Sequence, residues 1–94
     1  MHAIQQEEHG AKGAFFIEAE GERLAAMTYT RAGDRLVIID HTEVDDRLRG
    51  TGAGKALVEQ AVQWARGHQV KILPLCPFAR SVFQKHAELR DVLQ

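Results

Sequence analysis

Apolar and polar residues follow two different periods along this chain, and the change from one to the other falls near its middle. Residues 14–19 gather Phe15, Phe16 and Ile17, the aromatic and β-branched types that suit a strand. Glu20-Gly21-Glu22 interrupts them with a turn that Gly21 can enter at positive φ, so residues 23–30 are predicted as the strand that folds back on the first. A second turn, Ala32-Gly33-Asp34, leads into residues 35–44. The run Leu36-Val37-Ile38-Ile39 there predicts a central strand buried on both faces. Residues 4–8 are polar and predict only a short edge strand ahead of His9-Gly10.

The second half switches to the helical period. Over residues 52–66, Ala53, Leu57, Ala61 and Trp64 fall on one side with Val58, Val62 and Ala65, while Glu59, Gln60, Gln63 and Arg66 oppose them. Gly67 then stands where a helix commonly ends on a left-handed residue. Residues 70–75 predict a short apolar strand, and Pro77 opens a second helix with Phe78, Ala79, Val82 and Phe83 facing inward, ending near His86 or Ala87. A strand, helix, strand crossover of this length favours parallel pairing. The class expected is α+β, with antiparallel N-terminal strands, then a strand-helix-strand-helix half, in one mixed sheet.

Length bounds the organisation. A chain of 94 residues accommodates one domain, residues 1–94, so site and scaffold share a core. The apolar share of 45% supports folding without metal or disulfide, since a domain of this size removes roughly 60% of the unfolded surface from water. A formal net charge of -1 leaves no overall field to hold nucleic acid or a lipid surface, so neither is expected as a partner and any phosphate recognition must be local. The first residues carry Gln5, Gln6, Glu7 and Glu8 in place of an apolar leader, and no apolar run reaches membrane-spanning length. The single cysteine, Cys76, can form no internal disulfide; the expected location is the cytoplasm. The five histidines lack a spacing such as His-x-x-x-His, so no metal is expected.

The most informative stretch is residues 44–55, Val-Asp-Asp-Arg-Leu-Arg-Gly-Thr-Gly-Ala-Gly-Lys, where the central strand ends and the long helix begins. Gly50, Gly52 and Gly54 let backbone amides converge on a ligand, and a helix start adds about half a positive charge. Arg47, Arg49 and Lys55 bring full charges to what reads as an anion cradle. Two nucleotide signatures fail here. A P-loop requires a hydroxyl after its lysine, but Ala56 follows Lys55, and the dinucleotide fingerprint G-x-G-x-x-G is replaced by G-x-G-x-G.

The arrangement that does fit is Arg-x-x-Gly-x-Gly, as Arg49, Gly52 and Gly54, between a strand and an amphipathic helix. Together with His41-Thr42-Glu43-Val44 before it, and Pro74-Leu75-Cys76-Pro77-Phe78 with Phe83, Lys85 and His86 after it, the stretch resembles the GNAT acyltransferase superfamily, in particular its small single-domain members. The resemblance covers residues 36–93; a proline common after the histidine is here Ala87. It implies acetyl-CoA as cofactor, its pyrophosphate held on backbone amides. The residues implied are Val44, Arg49, Gly50, Thr51, Gly52, Ala53, Gly54, Lys55 and Phe78, while Lys85 and His86 either reach the adenosine phosphate or complement a helix end.

In that chemistry an amine attacks the thioester directly, so the protein must orient both partners, steady the oxyanion and remove a proton. Glu43 or His41 is the implied base, with Asp40 as a further carboxylate. Period-2 alternation sets His41 and Glu43 on one face and Asp40 and Thr42 on the other, so only one pair faces the substrate, and the sequence leaves open which. Cys76, after the second parallel strand, is placed by the resemblance beside the thioester. There it could protonate the departing thiolate, orient the acetyl group, become acetylated, or simply pack as a small hydrophobe. Tyr29, the sole tyrosine, lies mid-strand and reads as packing, as do Trp64, Phe15 and Phe16. The implied acceptor is an amine. A chain this short leaves no room for extra N-terminal helices to wall off a pocket, so a bulky or exposed amine such as a protein lysine is expected. A non-catalytic acyl-CoA-sensing module is the alternative, and the sequence leaves the oligomeric state open.

Overall fold

A computed structural model describes residues 3–94. Four strands run up and down in order, β1 (Ile4–His9), β2 (Lys12–Ala19), β3 (Glu22–Arg31) and β4 (Leu36–Val44). A single 3-10 turn, Asp46–Leu48, leads to α1 (Ala53–His68), which returns the chain to β5 (Lys71–Pro74). Then come α2 (Pro77–Lys85) and a closing 3-10 segment, Ala87–Val92. The sheet order is β1-β2-β3-β4-β5, antiparallel until the parallel β4–β5 pair that the crossover requires.

All the helical structure packs on one face. Phe15, Ile17, Met27, Tyr29, Val37 and Ile39 from the sheet share one cluster with Leu57, Val58, Ala61 and Val62 of α1 and Ala79, Val82 and Phe83 of α2. Ala14 and Phe16 are also buried, yet they lie outside that cluster on the opposite face, where the Arg23 guanidinium sits 3.8 Å above the Phe16 ring. The expectation that β4 is buried on both faces is therefore corrected. Val37 and Ile39 are buried while Leu36 and Ile38 stay half-covered, because no helix lies on their side.

Gly67 does not end α1. The helix runs on to His68, and Gln69 takes the left-handed conformation at φ 57° instead, its amide donating to the Ala65 carbonyl. The two extra residues stack the His68 ring 5.2 Å from Trp64 and let its Nδ1 donate to the Trp64 carbonyl at 2.8 Å, contacts that a stop at Gly67 would forfeit. Among the described residues no helix is long and apolar enough to cross a membrane.

One irregularity decides which residues face the helices. In the β3–β4 ladder Tyr29 pairs with Ile39 but Thr28 pairs with His41, so Asp40 is an extra residue, a bulge. Directly opposed residues share a face. Val37 and Ile39 point toward the helices before the bulge; after it the phase has slipped by one, and Thr42, opposite fully buried Met27, and Val44, opposite buried Ala25, take over that side. His41 and Glu43 are thereby turned to the open face with Ala14, Phe16, Ala26 and Thr28.

Candidate functional site

The last rungs of the β4–β5 pair are Ile39 opposite Pro74 and the Leu75 amide donating to the Ile39 carbonyl at 3.0 Å. Beyond them β4 continues for five residues to Val44 while the neighbouring chain turns away through Cys76 into α2. The gap opened between them is a cleft of about 430 Å³ lined by Thr42, Val44, Leu48, Arg49, Gly50, Gly52, Ala53, Gly54, Lys55 and Phe78.

Its floor at one end is the glycine loop. Gly50 and Gly52 sit at φ 78° and 84°, left-handed conformations that carry a cost of about 1–2 kcal/mol for a residue with a Cβ. Gly52 is the N-cap of α1 and has no side chain to satisfy the helix's first amides. Those of Ala53, Gly54 and Lys55 precede the first intrahelical donor, and among the turn and cap bonds of the described residues neither they nor Gly50 and Gly52 donate. Five amides around a positive helix end thus have no acceptor among these bonds and belong to residues that line the cleft, an arrangement that suits a diphosphate. Gly54 serves a different purpose: a Cβ there would come within 2.5 Å of the Phe78 ring, so the absent side chain is what lets Phe78 lie across the cleft as a wall.

Two loop residues differ from expectation. Thr51 gives both its amide and its hydroxyl to the Leu48 carbonyl, so it fastens the loop rather than offering its N–H to a ligand. Arg47 lies outside the cleft lining and holds Asp45 at 2.9 Å and Glu22 at 2.9 Å. That contact keeps the Asp45 carboxyl down at about 2, with the Arg47 backbone amide adding to it. Arg49 does line the cleft, and its ion pair with Asp46 at 3.0 Å is so exposed that it contributes little and holds the guanidinium only weakly. Lys85 and His86 are not brought to the cleft. They end α2, where the His86 amide donates to the Val82 carbonyl and its ring pairs with Glu88 at 3.6 Å.

At the other end of the cleft Cys76 is buried and donates its S–H to the Thr42 hydroxyl at 3.3 Å. The expected trio of Cys76, His41 and Glu43 is not gathered in one hollow. The bulge directs His41 toward an open-face hollow of about 490 Å³ with Glu7, His9, Lys12 and Asp40, and Glu43 toward another of about 370 Å³ with Arg23 and Asp45. The Asp40 carboxylate there accepts from the Thr30 hydroxyl at 2.8 Å. Thr42, which strict alternation paired with Asp40, is the residue that joins Cys76 to the cleft. Its signal in the sequence was its place in His-Thr-Glu-Val; nothing in the sequence marks the bulge that turns it inward.

Tyr29 is packing, as expected, though with a polar end. Its ring crosses Gly13, where a Cβ would meet it at 2.3 Å, and reaches β1. There its hydroxyl donates to Glu8 at 2.6 Å and accepts from Gln6 at 2.8 Å. Burial, reinforced by the bond to Glu8, pushes its pKa up to about 12, and the same bond, with Arg31, holds Glu8 below the usual carboxylate range.

Comparison with known proteins fits this geometry. The sequence profile described as GCN5-related N-acetyl-transferase matches residues 14–92. A GCN5-like protein of Staphylococcus aureus, known from its solution structure, is 34% identical, superposes with a TM-score of 0.74, and is matched over 100% of this chain and 91% of its own. The ribosomal-protein-alanine N-acetyltransferase of Brucella melitensis biovar Abortus 2308 shares the fold at a TM-score of 0.67 and 21% identity, over 80% of this chain and 60% of that one. So does an aminoglycoside N-acetyltransferase solved in complex with CoA, at a TM-score of 0.62 and 12% identity over 88% of each chain. No curated protein is significantly similar. With its family profile matched over most of its length, an uncapped amide cradle and a cleft between parted parallel strands, the chain belongs to the GCN5-related N-acetyltransferase family and takes acetyl-CoA as its acetyl donor.

Proposed function

We propose that this protein transfers an acetyl group from acetyl-CoA to an exposed primary amine, such as a lysine side chain on a protein, by direct attack on the thioester. The observation that carries the reading is the set of undonated amides at Gly50, Gly52, Ala53, Gly54 and Lys55, all residues that line the cleft. The diphosphate rests on those amides, with Arg49 and Lys55 beside it. The pantetheine arm runs between Phe78 and the cleft side of β4, from Val44 toward Thr42, bringing the thioester next to Cys76.

The amine enters from the open face of the sheet, where no helix of this chain stands in its way. His41 and Glu43, both exposed there, flank Thr42 in the strand and take the amine's proton, directly or through water. The absence of a covering layer over the hollows that hold them favours a large acceptor over a small enclosed one.

Calorimetric titration with acetyl-CoA beside ATP and NAD tests the donor site: acetyl-CoA alone should bind, and equal affinity for ATP would refute the assignment. Thiol release in the presence of lysine-containing peptides, polyamines and aminoglycosides then tests the acceptor. Turnover confined to the small amines would contradict the exposed-acceptor reading, and tight binding without release in any mixture would mark a sensor rather than an enzyme. Intact mass after incubation reports whether Cys76 takes up the acetyl group; direct attack predicts that it does not.

A further inference from the structure

Thr42 has a hydroxyl at the end of the cleft away from the glycine cradle. The bulge at Asp40 brings it there, since with unbroken alternation Thr42 would point to the open face and His41 into the cleft. Its oxygen accepts the S–H of Cys76, a residue held firmly by its position as N-cap of α2 with Pro77 next in the chain. A thiol is a weak donor, so this bond contributes little stability; what it does is fix the direction of the Thr42 hydroxyl. Among the described residues that hydroxyl donates its own proton to no acceptor, and the space beside it is the cleft.

We propose that the Thr42 hydroxyl donates a hydrogen bond to the thioester carbonyl oxygen of acetyl-CoA, with Cys76 aiming it. The inference rests on the acetyl-CoA reading of the cleft and extends it. Thr42 stands two residues, about 7 Å of strand, from Val44, so it lies farther along the cleft from the cradle that holds the diphosphate. A hydroxyl that accepts a hydrogen bond is polarised into a better donor, and the buried thiol supplies that bond.

The role in the reaction follows from where charge develops. As the amine nitrogen forms its bond to the carbonyl carbon, charge builds on the carbonyl oxygen. The carbon–sulfur bond then breaks with its electron pair going to the CoA sulfur, and the proton lost by nitrogen ends on that sulfur. Thr42 transfers no proton and steadies the oxygen throughout; a donor so placed is typically worth about a hundredfold in rate or more. Thr42 is in this sense a catalytic residue, and Cys76 a positioning residue acting through it.

Isotope-edited infrared spectroscopy of bound acetyl-CoA labelled with carbon-13 at the carbonyl reads the hydrogen bond without any acceptor. The wild type should show the carbonyl stretch at lower wavenumber than free acetyl-CoA. Thr42→Ser should keep that shift, and Thr42→Val, of the same shape without the hydroxyl, should lose most of it while the calorimetric Kd weakens by no more than about tenfold. Cys76→Ala should reduce the shift and broaden the band. A Thr42→Val band identical to wild type overturns the proposal, and a Cys76→Ala band identical to wild type overturns the aiming role. Failure of the wild type to bind acetyl-CoA would instead overturn the cofactor reading, and this proposal with it.

Discussion

The same substitution, glycine to alanine, should act with opposite sign at the two ends of α1. Gly52 is its N-cap at φ 84°, and nothing lies within 4 Å of where a Cβ would stand, so sterics with neighbours are not the issue; the backbone is. Holding alanine in that conformation costs about 1–2 kcal/mol, offset by roughly 0.4–1 kcal/mol from the stiffer unfolded chain, for a net loss near 1 kcal/mol. Gly67 is helical, also with open space around its missing Cβ, and alanine there should stabilise by about 0.5–1 kcal/mol. In a domain of this size 1 kcal/mol moves Tm by about 4–8 °C. Thermal unfolding followed by circular dichroism should therefore place Gly52→Ala several degrees below wild type and Gly67→Ala a few degrees above it. The helix of 16 residues separates the sites by about 22 Å, so the double variant should return close to wild type. Acetyl-CoA titration should separate the pair further, Gly52→Ala binding worse and Gly67→Ala unchanged. If Gly52→Ala is as stable as wild type, or Gly67→Ala is destabilised, the assignment of the two backbone conformations is refuted.

Tyr29 is the sole tyrosine, so its absorbance titration is unambiguous. Because folding raises its pKa to about 12, the stability it contributes is full below pH 10 and is lost as pH climbs toward 12; Tyr29→Phe should lack that alkaline fall and cost about 1–2 kcal/mol at neutral pH. Asp45 runs the other way: its pKa of about 2 means stability is full above about pH 4 and falls as pH drops toward 2, so Asp45→Asn should flatten the acid limb of the stability–pH curve. Phe78→Ala should weaken acetyl-CoA binding about tenfold by removing a wall that is already 40% exposed, with little loss of Tm. Arg49→Ala should weaken binding and reduce its salt dependence, whereas Arg47→Ala, on the Asp45–Glu22 side, should leave affinity within about twofold; equal effects would contradict their different placement.

The strands and helices were legible because their signals are local. The paired turns at Gly21 and Gly33, the aromatic run before the first and the helical period after Gly52 each reflect neighbours within a few residues. What escaped was set by layers. The run Leu36-Val37-Ile38-Ile39 looks the same whether one face of the sheet is covered or two, and only the docking of both helices on one side decides it. Gly67 hides the helix end for a similar reason: the stacking of His68 on Trp64 carries the helix past a residue whose propensity favours stopping.

The site divides along the same line. The glycine cradle was readable as chemistry, because backbone amides at a helix start need only small residues in a row, and Gly50, Gly52 and Gly54 supply them. The far end of the cleft was not, since the side of a strand that a residue faces depends on every residue before it being in register. One extra residue at Asp40 exchanges the sides, sending His41 and Glu43 to the open face and Thr42 to Cys76. That exchange gives the two faces of β4 different work. The helix side keeps a neutral hydroxyl and a thiol, which an uncharged thioester can approach without stripping water from an ion. The open side keeps the histidine and the carboxylate in contact with water, as the proton transfer proposed for them requires. Had the strand alternated without interruption, Glu43 would sit in the cleft close to the proposed diphosphate site, two like charges in one low-dielectric space. The bulge is thus what lets an anionic cofactor and the proposed carboxylate base serve one strand from opposite sides.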